Sequence, residues 1–263
     1  MQELKVLLAM YSLRNEMVVS LYDTLESAKK MGFDGIELAW YAGHPVSAVR
    51  KAVQDLDLDV WSCHTDVREM LADPKRIFED IASFGARYVI ICHMLPEERP
   101  GGSRFKQTVE DVARLSELAA SQYGLKMLYH NHDFDSNVLP DGRTSLDVSY
   151  QTFAVGGELD TCWIELNGSS SADYLRRYAG KIPLVHMKDF RRSPAPEGVP
   201  APAPGCEFCP LGLGEIDFPT IIKTAEETGV KALILEVDEP GCAASARESV
   251  EIGAKELFRL MGR

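Results

Sequence analysis

The sequence predicts an α/β protein in which eight parallel strands alternate with helices and close into a single-domain (β/α)8 TIM barrel. Three observations carry this expectation. Eight short β-rich runs recur along the 263 residues, most of them nearly continuously apolar, as strands covered on both faces must be. Segments with helical spacing of apolar residues lie between them, and strands joined by helices run parallel with right-handed crossovers. An open, doubly wound sheet would carry a glycine-rich turn after its first strand; here that position reads YSLRNEM, and the chain has no GxGxxG and no P-loop.

The strands are expected at 5–11 (KVLLAMY), 35–40 (GIELAW), 58–64 (LDVWSCH), 88–93 (YVIICH), 126–132 (KMLYHNH), 157–163 (GELDTCW), 182–188 (IPLVHMK) and 231–237 (KALILEV). The clearest helices are 21–32, 105–124 and 249–262; the first two end at Gly32 and Gly124, a stop signal with a stereochemical basis. Residues 190–214 (FRRSPAPEGVPAPAPGCEFCPLGLG) hold six prolines and no helical period. They read as a long loop between strand seven and its helix, either a rim or lid of the site or a surface excursion without chemistry. Nothing is left over for a second domain, so the barrel is expected to occupy 1–263.

The composition is that of an ordinary globular protein, 45% hydrophobic and 26% charged. The formal net charge is -12. A surface of that sign repels phosphate backbones and anionic membranes, so neither nucleic acid nor a membrane is an expected partner. The start, MQELKVLLAMYSLRNEM, has no signal-peptide pattern, and nowhere do 18 apolar residues run together. Cys63, Cys92 and Cys162 fall in apolar strand runs, where reduced, buried thiols are the usual state. These features together suggest a cytoplasmic protein. Cys206 and Cys209 form a CEFC in the proline-rich loop, with no second CxxC to complete a zinc site. They read as loop thiols, a labile disulfide being the lesser alternative.

In such a barrel the chemistry collects at the C-terminal strand ends. The polar residues found there are Tyr11 and Arg14 (strand one), Glu37 (two), His64 (three), His93 (four), and His130, Asn131 and His132 (five). Asp160 (six), His186, Lys188 and Asp189 (seven), and Glu236 and Asp238 (eight) complete the ring. Five of the six histidines end a strand, and His44 lies in the loop after strand two. Singly, each has an ordinary structural reading; a buried Glu37, for instance, needs only a partner. Their convergence on one face is what points to a site. His130, Asp160, His186 and Glu236 come from four consecutive staves, and two imidazoles with two carboxylates suit one divalent ion.

The residues YHNHDFD (129–135), ELDTCW (158–163), VHMKDF (185–190), PLGLGEIDFPTII (210–222) and ILEVDEP (234–240), with YSLR (11–14) and GFDGIEL (32–38), resemble the sugar phosphate isomerase/epimerase family of the xylose isomerase-like TIM barrel superfamily. The resemblance runs the length of the chain with the motifs in order. It implies a divalent metal, Mn²⁺ first, with Zn²⁺, Co²⁺, Fe²⁺ or Mg²⁺ as alternatives. Asp160, His186 and Glu236 match family ligand positions. The epimerase branch has a glutamate as its strand-five ligand; here the slot holds His130, with His132 as the alternative. Trp163 stands where many relatives carry a histidine, and reads as an aromatic wall for a sugar or as core packing. The endonuclease branch of the superfamily must bind a polyanion, which the net charge opposes.

The resemblance implies a metal-dependent isomerase or epimerase of a keto-sugar or related polyol. Such an enzyme removes an α-proton and passes through an enediolate. Glu236 is the first choice of base and His132 the second, with Lys188 to polarise the carbonyl; a surface ion pair with Asp189 is the plainer reading of Lys188. Substrate contacts are expected from Tyr11, Arg14, Glu37, His64, His93, Asn131 and Trp163. One alternative is a lyase or dehydratase acting by β-elimination on a keto-sugar, keto-inositol or 3-keto-glycoside, favoured by the loss of the second carboxylate base. Another is a non-catalytic sugar-binding barrel or a subunit of a larger enzyme. With no phosphate-cradling glycine loop in evidence, an unphosphorylated substrate is expected. Relatives commonly form homo-oligomers.

Overall fold

Alternation along each strand decides what faces the barrel axis, because successive side chains point to opposite sides. The computed structural model describes residues 4–195 and 197–263. Residues 1–3, and Pro196 in the expected loop, lie outside the described residues. The strands are β1 (Lys5–Ala9), β2 (Gly35–Leu38), β3 (Val60–Thr65), β4 (Tyr88–Ile91), β5 (Lys126–His130), β6 (Gly156–Asp160), β7 (Leu184–Met187), β8 (Asp189–Arg191), β9 (Glu207–Cys209) and β10 (Ala232–Leu235). All but β8 and β9 pair in parallel into one closed barrel, β10 joining β1 to β7. The expected TIM barrel is therefore the fold, with β10 as its eighth stave.

Two apolar layers build it. Leu7, Ala9, Trp61, Tyr88, Ile90, Leu128, Leu184, Ala232 and Ile234 fill the barrel interior. A larger cluster lies between the strands and the surrounding helices. The helix Leu21–Lys30 buries Leu21, Thr24, Leu25 and Ala28 and ends in Lys29 and Lys30, cations that complement the negative end of its dipole. The helix Phe105–Tyr123 stops at Gly124, whose φ of 68° is left-handed, a conformation that costs glycine little.

The segment 190–214 is not wholly irregular, and here the sequence reading is corrected. β8 and β9 pair antiparallel within it, and Arg191 donates to Glu207 at 2.7 Å across the pair. Alternating Phe190 and Phe208 give the pair an apolar face, which with Cys162 and Cys206 forms a small separate core against Trp163. Asp189 anchors the base of this hairpin. Its Oδ2 accepts the N–H groups of Gly212 and Gly214, both at 3.0 Å. A Cβ on Gly214 would lie 2.2 Å from Asp189 Oδ1, so only glycine permits the wrap. The loop thiols Cys206 and Cys209 are both free and buried.

Candidate metal centre and cavity

Going up three staves, the inward residues change from aliphatic to polar: Leu128 then His130 on β5, Leu184, His186 and Lys188 along β7, and Ala232, Ile234 and Glu236 along β10. Register then sets neighbours side by side. Asp160 pairs with His186, and His130 with Glu158. The result is a charged layer above the apolar barrel interior.

Asp160 caps the short helix Thr161–Leu166. Its Oδ1 accepts the Cys162 and Trp163 N–H groups at 2.9 and 3.4 Å, the usual reason for an aspartate at a helix start. The cap fixes the carboxylate and turns Oδ2 toward the centre, where it has no hydrogen bond of good geometry. Lys188 Nζ lies 3.0 Å from that oxygen as a charge contact. Candidate donor atoms of His130, Asp160, His186 and Glu236 all lie within 4.8 Å of one another, and all four residues are buried.

The imidazoles show which nitrogens serve. His186 Nε2 contacts Glu37 Oε1 at 2.8 Å and His130 Nδ1 contacts Glu158 Oε2 at 3.0 Å. Each of these two imidazoles gives one ring nitrogen to the carboxylate behind it, leaving His186 Nδ1 toward Glu236, at 2.9 Å, and His130 Nε2 toward Asp160, at 3.8 Å. Carboxylates behind ligating histidines are the common means of fixing their tautomer and orientation. With the open Asp160 Oδ2, this donor set fits a divalent ion of the Mn²⁺ or Zn²⁺ type. A second grouping, His64, His130, Glu158 and His186, also brings its donor atoms within 4.8 Å of one another. It shares both of those histidines and draws in Glu158, the carboxylate behind His130.

Charges in this layer are strongly coupled. Burial acts against every ion, yet Glu37 is held well below the usual carboxylate range by His64 and His186, which are in turn pushed well up by their carboxylates. Burial also opposes ionisation of Glu236, but Lys188 and His186 overcome it and keep its carboxyl well below its ordinary value. Burial and the neighbouring Glu37 lift Glu158 to about 7. Burial, reinforced by the charge on Lys188, pushes His132 down to about 3 and keeps its ring neutral.

Above the layer opens a cavity of about 410 Å³, lined among others by Tyr11, Trp40, His64, His93, His132, Trp163, Lys188, Glu236 and Asp238. Trp40 follows β2 and Trp163 follows β6, staves on opposite sides of the ring. Trp163 is backed edge-on by Phe208 of the hairpin, at 5.9 Å between ring centroids. The loop thus buttresses a cavity wall. Trp163 Nε1 and His132 Nδ1 are buried and have no protein partner.

Of the residues expected at the site, Tyr11, His64, His93, His132 and Trp163 line the cavity with Lys188 and Glu236. Three expected substrate contacts do not. Glu37, 1% exposed, lies beneath, holding His64, His186 and Ser62. Asn131 is fully buried and tied to the Asp160 backbone. The Arg14 guanidinium lies over the Tyr11 ring and donates to the Asp238 carbonyl and Glu239, away from the cavity. Lys188 is no surface partner of Asp189: it is buried among Asp160, Glu236 and Asp238. His44 bonds the Met17 carbonyl and stays outside. Sequence reasoning missed Glu158 and Trp40. Glu158 stands two residues before Asp160 in one strand, so the same alternation that exposes Asp160 to the centre exposes Glu158 to the layer below.

Fold and centre together define a TIM barrel with a candidate divalent-metal site at the C-terminal mouth. The family model for xylose isomerase-like TIM barrels matches residues 25–257, and the chain belongs to that family. Among solved structures, a sugar phosphate isomerase/epimerase from Parabacteroides distasonis is similar at 21% identity and a TM-score of 0.74, with 97% of each chain covered. The IOLI protein, solved with a zinc atom bound, is similar at 17% identity and a TM-score of 0.68, with 98% of each chain covered. A probable 3-DHS dehydratase involved in petrobactin synthesis from Bacillus anthracis shares 17% identity at a TM-score of 0.72, over 97% of this chain and 99% of that one. At these identities the likeness is one of fold. No curated protein matches the sequence. Among the described residues, no helix is long and apolar enough to cross a membrane.

Proposed function

We propose that the chain is a metal-dependent isomerase or epimerase that removes a proton beside the carbonyl of an unphosphorylated keto-sugar or related polyol. The observation that carries the reading is the placement of the four donors His130, Asp160, His186 and Glu236 at the floor of a cavity with aromatic walls. A divalent ion held there, Mn²⁺ first and Zn²⁺, Co²⁺, Fe²⁺ or Mg²⁺ next, supplies Lewis acidity to a carbonyl. The chain's own groups do the rest. Glu236 and His132 reach the cavity from the eighth and fifth staves and so flank a bound ring from different sides, the disposition epimerisation needs. Lys188 donates a charged hydrogen bond to the oxygen that gains negative charge. The Trp163 and His132 rings line the cavity and would flank a bound sugar.

The cations of the cavity support an uncharged substrate. Lys188 is matched by Asp160, Glu236 and Asp238, and His64 by Glu37 and Glu158. Neither is left over for a phosphate.

The 2.7 Å contact between Lys188 Nζ and Glu236 Oε2 favours a second reading, β-elimination, in which adjacent groups remove the α-proton and protonate the departing oxygen. Turnover of keto-hexoses, a keto-inositol and a 3-keto-glucoside in D₂O with Mn²⁺ decides between them. Isomers carrying deuterium at the α-carbon support the first reading, and an unsaturated or cleaved product supports the second. A Glu236→Gln protein as active as the parent removes Glu236 as the base in both readings, and no metal-dependent turnover of any compound overturns both in favour of a binding role.

A further inference from the structure

Lys188 stands closer to the metal donors than a substrate contact needs to. Its Nζ lies 3.0 Å from Asp160 Oδ2 and 2.7 Å from Glu236 Oε2. Both residues belong to the candidate metal set, whereas the third partner, Asp238 Oδ2 at 3.0 Å, does not. An ammonium and a divalent ion therefore draw on the same two carboxylates, inside a layer where solvent screens little. Two cations on shared oxygens repel each other, and a lysine on a flexible four-carbon stem is able to yield.

We propose that Lys188 is an internal competitor for the metal. When the ion takes Asp160 and Glu236, the ammonium moves onto Asp238 and into the cavity. The inference rests on the metal-dependent reading above and adds a role that reading does not require. Asp238 is suited to receive the charge. It lines the cavity, its side chain is one-fifth exposed, and Arg14 holds its backbone by a 2.7 Å bond to the carbonyl. Trp163 borders the same path, its ring centroid 5.1 Å from Nζ. Two consequences follow for the site. Its affinity for the ion is lower than four donors alone would give, and the ammonium is presented to substrate only with the ion in place.

The test is titration of Mn²⁺ alone into chelator-stripped full-length protein by calorimetry, with Mn²⁺-induced Tm shifts read in parallel. Lys188→Met keeps the unbranched stem, one atom shorter, and removes the charge; the expected result is a Kd at least tenfold lower than the parent's and a larger Tm shift. Asp238→Asn removes the ammonium's other resting place, and its expected Kd is several-fold higher. In the double variant the Asp238→Asn effect disappears, which a general loss of negative charge near the ion would not produce. An unchanged or raised Kd in Lys188→Met overturns the competition while leaving the metal centre standing. If Lys188→Met does not fold, an unchanged Kd in Asp238→Asn overturns it equally. Binding by Lys188→Met alone is competition at its limit, and binding by neither protein overturns both the competition and the metal centre.

Discussion

Asn131 and Asp160 are tied to each other by two hydrogen bonds: the Asp160 N–H donates to Asn131 Oδ1 at 2.8 Å, and Asn131 Nδ2 donates to the Asp160 carbonyl at 3.3 Å. The side chain of one strand end thus fixes the backbone of the next, at the residue whose carboxylate both caps a helix and faces the centre. Asn131→Ala leaves a buried N–H unpaired, which costs about 1–3 kcal/mol. Urea unfolding should show that loss, together with weaker metal binding in calorimetry because Asp160 is no longer held in place.

Glu37 acts through His186 rather than on substrate. Glu37→Gln keeps the size but removes the charge that orients the ring, so metal affinity should fall about 10–100-fold. Circular dichroism should show the fold retained. An affinity equal to the parent's would place the metal elsewhere.

Removal of metal by chelator should abolish turnover and lower Tm. Mn²⁺ restored to about 100 times its Kd adds about 2.7 kcal/mol of stability, which differential scanning calorimetry would register. Glu236→Gln, with metal supplied, should cut kcat by about 10²–10⁴-fold, the range for loss of a positioned base.

Asp135 supplies a pH test away from the metal donors. It is buried and accepts hydrogen bonds from the Tyr129 hydroxyl at 2.8 Å and the His132 N–H at 2.9 Å. Burial raises its pKa from 3.8 to about 7. Because the folded state holds the proton more tightly, the group's stabilising contribution is complete below its unfolded pKa. It is lost as the pH rises through the folded value. Asp135→Asn removes that dependence. Relative to the parent, its Tm should therefore improve between pH 4 and pH 8; a constant difference across that range would refute the assignment.

The barrel was legible because eight apolar runs and the helices between them leave few ways to bury both faces. The four metal candidates were legible because strand ends of a barrel must converge. Glu37, Asn131 and Arg14 were placed a layer wrong. Position along the chain shows that a residue ends a strand, but not whether its side chain turns up to the cavity or sideways to a neighbour. Glu158 was hidden by standing inside a strand, and Trp40 because it belongs to the loop beyond one. The hairpin was hidden by its prolines, although Phe190 and Phe208, which pair across it, flank the run from Pro194 to Pro204.

The layer of Glu37, His64, Glu158, His130 and His186 bears on how this protein can change over generations. These side chains fill space that aliphatic residues would otherwise occupy, and each is hydrogen-bonded to another. Losing one leaves a buried partner without its hydrogen bond or counter-charge, so mutations that damage the centre also lower the stability of the fold. Drift toward an inert scaffold would have to replace several members together. Loops carrying Trp40 or the tip of the hairpin lie outside that lattice and can vary one residue at a time. Preference for one substrate over another can therefore diverge quickly among descendants of this chain, while the centre beneath stays the same.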